Sequence, residues 1–274
     1  MRVDAHHHVW DLRDREQPWL DGPWADPIRR TWTEADLEPH LAAHDFDATV
    51  VVQTSSSVAE TRELLALARQ SDRIAAVVGW ADLTDPDGPR LPPGLAGLRH
   101  QVQDEADPDW LARPDVRRGL AAVADAGLVY ELLVTPRELA AAVDTVRALP
   151  QLRFVLDHGA KPRIAHGEWQ PWAGQLAALA ALPNVECKLS GLVTEAAWAS
   201  WTVEQVLPYA RHILDTFGPG RVMFGSDWPV CELAARYGQV MHLAERAVEE
   251  LDPGERAAVF GGNAARTYGL EPQP

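Results

Sequence analysis

The chain has 274 residues and a formal net charge of −15, from 25 basic and 40 acidic residues. This length suits one large core, and the acidic surplus argues against nucleic-acid binding, which needs a basic surface. No stretch reaches the roughly 20 apolar residues of a membrane span, and the N-terminus lacks a signal-peptide layout. Cys187 and Cys231 have no disulfide-framework spacing. We expect a reduced, cytoplasmic protein without membrane or nucleic-acid partners.

Apolar, β-rich runs alternate with helical patterns along the whole chain. The predicted strands are Arg2–Ala5, Ala48–Gln53, Ile74–Trp80, Leu95–Arg99, Leu128–Val134, Arg153–Asp157, Val185–Leu189 and Arg221–Gly225. Helical patterns cover Glu34–His44, Ser57–Arg69, Asp115–Ala126, Pro136–Ala148, Trp172–Ala181, Val203–Phe217 and Ala234–Leu251, and a closing helix over Asp252–Tyr268 is interrupted near Gly261. Eight strands alternating with helices predict a (β/α)8 TIM barrel, one domain over residues 1–274. An open doubly wound sheet is the alternative, but no glycine-rich phosphate loop follows the first strand.

The connection between the first strand and the first helix is unusually long and rich in tryptophan. Residues 10–33 carry Trp10, Trp19, Trp24 and Trp32. Long loops in compact domains are often functional, and this one leaves the face where barrel enzymes have their active sites. Its tryptophans either cover a pocket and stack on sugar rings, or pin the loop to the barrel wall.

Two histidines at the end of the first strand are the clearest candidate site residues. Side chains two apart on a strand share a face, so His6 and His8 project together while His7 points away. Paired imidazoles bind a divalent metal or polarise a carbonyl. A purification tag is the alternative, but the sequence around the histidines argues against it.

The C-terminal ends of barrel strands converge on one mouth, so distant residues can form one site. Besides the two histidines, these ends supply Gln53, Trp80, Arg99 with His100, Asp157 with His158, Lys188 and Asp227. Alternation directs Arg99 and His158 to the mouth and gives His100 and Asp157 structural roles. Three histidines and Asp227 fit a metal-dependent or metal-like hydrolytic centre. Considered alone, His158 is also consistent with a hydrogen-bonded histidine in the core, and Asp227 with the cap of the following helix. Lysine is rare here, occurring only at Lys161 and Lys188, both beside strand ends.

The motifs DAHHHVWD, VVVQTSSSVAET, VVGWADL, GLRHQVQDEAD, FVLDHGAKP, NVECKLSGLVTEAAW and RVMFGSDWPVC follow one another in this order. Together they resemble the sugar lactonases of the amidohydrolase superfamily, in particular the L-fuconolactonase and L-rhamnonolactonase group, from about Val3 to Tyr268. The resemblance implies a (β/α)8 barrel that hydrolyses sugar-acid lactones. It also implies a catalytic centre formed by His6, His8, His158 and Asp227.

Three positions depart from the family pattern. No lysine precedes Lys161, so the lysine that bridges two metals in binuclear relatives is missing, and the resemblance implies a single Zn²⁺ or none. Glu131 replaces an aspartate in the fifth strand, and Gly159 replaces a bulky residue after the sixth. Both changes bear on which sugar the pocket accepts.

The expected mechanism uses Asp227 as the general base towards water and then as the proton donor to the leaving hydroxyl. The metal-ligand set is His6, His8, His158 and Asp227, and these histidines polarise the carbonyl directly or through one Zn²⁺. Predicted substrate-binding residues are Arg99, Lys188, Gln53, Trp80, Glu131 and Trp228. The alternatives are hydrolysis of a muconolactone- or pyrone-type lactone, a zinc-dependent decarboxylation, and a non-catalytic binding barrel.

Overall fold

The computed structural model describes residues 1–270, so the last four residues of the predicted domain lie outside the described part. Eight parallel strands are hydrogen-bonded in sequential order. They are β1 (Val3–His7), β2 (Ala48–Val52), β3 (Ile74–Gly79), β4 (Gly97–His100), β5 (Val129–Leu132), β6 (Arg153–Leu156), β7 (Val185–Leu189) and β8 (Val222–Phe224). The segment after β8 pairs with β1, where the N–H of His8 donates to the carbonyl of Trp228 at 2.7 Å. The predicted barrel is confirmed.

Helices surround the strands in the alternation that the sequence predicts. They are α1 (Glu34–Ala43), α2 (Val58–Ala68), α3 (Pro114–Asp125), α4 (Leu139–Ala148), α5 (Trp172–Ala180), α6 (Val203–Phe217), α7 (Tyr237–Ala247), α8 (Pro253–Ala257) and α9 (Asn263–Tyr268). The predicted closing helix is interrupted at Gly261, where a Cβ atom would overlap the backbone of Met1. None of the helices within residues 1–270 has the length and apolar composition needed to span a bilayer.

The barrel interior is apolar at its base and polar at its mouth. Small side chains such as Val3, Ala5 and Val50 fill the lower barrel, and Ala264 and Tyr268 of α9 seal it. A larger apolar cluster lies between the sheet and the helices. Strand β1 runs to His7, two residues further than predicted, with an irregular register after Asp4. Because the base is closed, the C-terminal mouth is the end of the barrel left open to a ligand.

Candidate active site

Four buried side chains meet at the mouth from three strand ends. Oδ1 of Asp227, after β8, lies 3.7 Å from His6 Nε2 and 3.5 Å from His8 Nε2. The same oxygen is 3.9 Å from Nε2 of His158, which follows β6. The Nε2 atoms of His6 and His8 are 3.2 Å apart. The structure thus brings the four predicted catalytic residues together.

The backbone after β6 explains how Asp157 and His158 both point inwards. His158 has φ 54° and ψ 28°, a left-handed conformation that breaks strand alternation. Nδ1 of His158 lies 2.8 Å from Ser190 Oγ. Gly191 (φ +61°) packs against the ring so closely that a Cβ atom there would overlap His158 and lie 3.1 Å from Asp227 Oδ2. Glycine is therefore required beside this histidine.

Asp227 is fixed to the strand that carries the histidines. It also has a left-handed backbone (φ 56°), and its N–H donates to the His6 carbonyl at 2.8 Å. The preceding N–H, that of Ser226, donates to Asp4 Oδ1 at 2.8 Å. These bonds set the spacing between the carboxylate and the imidazoles.

Buried partners orient the rings of His6 and His8. Nδ1 of His8 lies 2.7 Å from the Val52 carbonyl. A carbonyl only accepts hydrogen bonds, so Nδ1 carries the proton and Nε2 presents its lone pair to the mouth. Nδ1 of His6 faces Asp157 Oδ1 at 3.4 Å and Lys188 Nζ at 3.1 Å. Asp157, predicted to face away from the mouth in a structural role, instead contacts His6, one of the predicted catalytic histidines.

A layer of buried charges lies beneath the histidines. Lys188 Nζ contacts Glu131 Oε1 at 2.6 Å and Asp157 Oδ1 at 3.3 Å, and Arg99 Nη1 contacts Asp157 Oδ2 at 3.0 Å. Tyr268 donates to Glu131 at 2.5 Å. Burial opposes ionisation of Asp157, but Lys188 and its other charged neighbours hold the carboxyl pKa well below its usual value. Lys188 and Glu131, predicted sugar contacts, are fully buried and lie under the cavity.

A cavity of about 130 Å³ opens above this layer. Its wall is formed by His8, Trp19, Thr54, Arg99, Gln101, Gln103, Asp104, Leu133, His158, Lys161, Thr194, Asp227 and Val230. Of the six predicted sugar-contacting residues, Arg99 lines this wall. Amide, hydroxyl and charged groups dominate the lining, which suits a polar, neutral ligand.

Three other predicted contacts lie behind the wall. Gln53 Nε2 donates to the Arg99 carbonyl at 2.9 Å, so Gln53 supports a wall residue. Trp80 Nε1 donates to His100 Nδ1 at 2.9 Å. Trp228 has no exposed surface and belongs to the outer apolar cluster.

Several wall residues that the sequence does not predict lie beyond the position directly after a strand. Gln101, Gln103 and Asp104 lie further along the segment after β4, and Thr194 follows β7. The rarity of lysine singles out Lys161 in the sequence but does not predict its place at the cavity wall. The polar run after β4 was the available signal for the first group.

The tryptophan-rich segment is pinned to the barrel, and one of its tryptophans also reaches the cavity. Trp10 and Trp32 are buried and exchange backbone hydrogen bonds of 3.0 and 2.9 Å, which pin the segment to the barrel. Trp19 lines the cavity and packs edge-on against Trp10, with ring centroids 5.3 Å apart.

Burial and neighbouring charges give Asp227 and His158 complementary protonation states. Burial lowers the pKa of His158 to about 4, so the ring is neutral at pH 7. Burial opposes ionisation of Asp227, but His158 and His8 outweigh it and hold the carboxyl pKa below its usual value. At neutral pH the mouth therefore presents a carboxylate base beside a neutral imidazole.

The donor atoms also fit a divalent metal ion. His6, His8 and Asp227 form one candidate ligand group, and His6, Asp157 and His158 another. Tetrahedral zinc, with bonds of about 2.0–2.1 Å, separates its ligand atoms by about 3.3 Å. The 3.2 Å between the Nε2 atoms of His6 and His8, and the 3.5 Å from His8 to Asp227, agree with that spacing. The Val52 carbonyl beside Nδ1 of His8 is a partner that metal-bound histidines use, and so is the Asp157 carboxylate near Nδ1 of His6.

The fold and this site match one protein family. The amidohydrolase family model matches residues 3–270. L-fucono-1,5-lactonases from Burkholderia ambifaria and Burkholderia multivorans are each 41% identical to this chain, covering 98% and 100% of it and 96% and 97% of their own lengths. The crystal structure of a Burkholderia multivorans amidohydrolase with bound zinc superposes with a TM-score of 0.92, at 40% identity over 99% of this chain and 100% of that one. The chain belongs to the amidohydrolase family.

Proposed function

We propose that this protein is a lactonase that opens the ring of a sugar-acid lactone of the L-fucono-1,5-lactone type. The observation that carries the proposal is the position of the Asp227 carboxyl among three buried imidazoles at the wall of a polar cavity. The two relatives of 41% identity, both L-fucono-1,5-lactonases, support the same substrate class.

The reaction needs an activated water, a polarised carbonyl and a proton for the leaving oxygen. Asp227 accepts a proton from a water molecule while the water oxygen attacks the carbonyl carbon of the lactone. Donors at the mouth stabilise the negative charge that develops on the carbonyl oxygen. When the ring C–O bond breaks, Asp227 returns the proton to the departing alkoxide, and the product is the open-chain sugar acid.

We also propose that His6, His8, His158 and Asp227 hold one Zn²⁺. His6, His8 and Asp227 form one candidate ligand group, and His158 Nε2 lies 3.9 Å from Asp227 Oδ1. The zinc held by the related structure supports the same proposal. Bound zinc supplies Lewis acidity at the carbonyl oxygen. The residues of the chain provide the positioning: Asp227 is fixed to β1, and Gln53 and Asp157 hold Arg99 beside His6.

The charge of the wall favours a neutral substrate over a dicarboxylate. Two wall residues are cationic: Arg99 faces the carboxylate of Asp157, and Lys161 faces that of Glu195. Asp104 adds negative charge to the wall. A pyrone dicarboxylate or a decarboxylase substrate would need unneutralised cations here.

The test is proton release, followed with a pH indicator, from L-fucono-1,5-lactone, other sugar lactones and a pyrone dicarboxylate. The uncatalysed rate of each compound is subtracted. We expect catalysed opening of sugar lactones with a preference for one stereochemical series. The absence of catalysis on every sugar lactone, or faster opening of the dicarboxylate, would contradict the proposal.

A further inference from the structure

Lys161 is a charged wall residue to which the mechanism gives no role. It lies three residues after His158, and its N–H donates to the His158 carbonyl at 3.0 Å. A left-handed backbone (φ 49°) directs its side chain to the cavity wall. The position of Lys161 is thus coupled to that of a catalytic histidine.

The ammonium of Lys161 keeps its hydrogen-bonding capacity. Its nearest acidic partner is Oε1 of Glu195, 4.0 Å away, and the two side chains are only 22% and 24% exposed. Within residues 1–270, Nζ forms no hydrogen bond, whereas an ammonium offers three donors. Glu195 ends the short 3-10 helix Val193–Glu195 after β7, so the pair joins two strand ends. The glutamate holds the cation at the wall and leaves its donors to a ligand.

We propose that Lys161 is a specificity-determining residue that donates a hydrogen bond to a ring hydroxyl of the lactone, and that Glu195 positions its ammonium. This inference rests on the proposed sugar-lactonase function. A hydroxyl oxygen accepts from an ammonium, and hydrogen bonds to charged groups are among the stronger ones in proteins. A lactone without ring hydroxyls gains nothing from this contact, so Lys161 selects hydroxylated substrates.

The test compares a sugar lactone that the wild type opens with δ-valerolactone, which has no ring hydroxyl. The proteins compared are the wild type, K161M, K161N, E195Q and K161M/E195Q. Asparagine is included because it tolerates the left-handed backbone of position 161. The matched control is R163M, which removes an exposed cation paired with Glu168 at 3.0 Å two residues further on. Valerolactone is measured as a substrate and as a competitive inhibitor, which reports its binding even where turnover is slow. Thermal unfolding checks that each variant folds.

For K161M and K161N we expect kcat/KM on the sugar lactone to fall about tenfold to a hundredfold, mainly through KM. Valerolactone turnover and inhibition should change less than about twofold, as should all parameters of R163M. The loss of kcat/KM on the sugar lactone should be smaller in E195Q than in K161M. The double variant should show the same loss as K161M, because Glu195 acts through Lys161.

Two results would overturn the inference while leaving the lactonase function intact. One is an unchanged KM for the sugar lactone in both lysine variants. The other is an equal loss on both lactones, which would assign Lys161 to the reaction centre. Failure of the wild type to open any sugar lactone would instead overturn the function on which the inference rests.

Discussion

Asp227 and His6 are joined through both backbone and side chain. The N–H of Asp227 donates to the His6 carbonyl at 2.8 Å, and Asp227 Oδ1 lies 3.7 Å from His6 Nε2. The same contact closes the barrel between β8 and β1. Formation of the fold therefore places the proposed base beside the imidazoles.

Zinc affinity should depend on the mouth histidines. We expect the metal-free protein to bind one Zn²⁺ per chain, and H158Q to weaken binding at least about tenfold by removing one donor. Isothermal titration calorimetry gives stoichiometry and affinity. H166Q is the control, since His166 is exposed and away from the cavity wall. Equal affinity in H158Q and the wild type would remove His158 from the ligand set.

Gly191→Ala should impair activity by displacing His158. The new methyl group would overlap the His158 ring, and misplacement of a reacting group by about 1 Å can cost about a hundredfold in rate. Gly167→Ala is a matched control, because Gly167 has a similar φ (+64°) with no atom within 4 Å of the added Cβ. Steady-state kinetics of both variants separate crowding of the ring from backbone strain. Similar activity in both would show that the space beside His158 is not critical.

Lys188→Met should destabilise the fold. It leaves Glu131 and Asp157 buried without their shared cation, and breaking a buried ion pair costs about 3–5 kcal/mol. Urea unfolding at pH 7 measures the loss. The double variant K188M/E131Q should recover part of it, since one unpaired carboxylate is removed. A loss below about 1 kcal/mol in K188M would mean that this network contributes little.

In the metal-free protein, activity should stay constant well below neutral pH. His158 must be neutral and Asp227 ionised, and burial lowers the pKa of His158 to about 4 while Asp227 titrates below its usual range. The kcat/KM should therefore fall only as the pH drops towards about 4, because protonation of His158 or Asp227 removes the active form. Initial rates from pH 3.5 to 8 with a lactone substrate test this. An acid limb near pH 6.5, the ordinary pKa of histidine, would show that burial does not lower the pKa of His158.

Strand periodicity was sufficient to predict the barrel and the pair formed by His6 and His8, and the strand ends also supplied His158 and Asp227. The motif resemblance added the expectation that these four residues form one catalytic centre. Depth within the barrel could not be read from the sequence. Lys188 is on an inward-facing strand position like a mouth residue, yet it lies one layer too deep to reach the cavity. The left-handed turn that brings Asp157 inwards beside His158 was equally hidden, because positive φ is uncommon even at histidine and the residue type alone does not reveal it.

Comparison of Asp227→Asn with the wild type tests the central claim most directly. On a sugar lactone that the wild type opens, we expect kcat of the variant to fall about a hundredfold to ten-thousandfold, with the folded state retained. Asparagine keeps the size of the side chain but cannot accept the proton from water. A kcat within about threefold of the wild type would show that Asp227 is not the base.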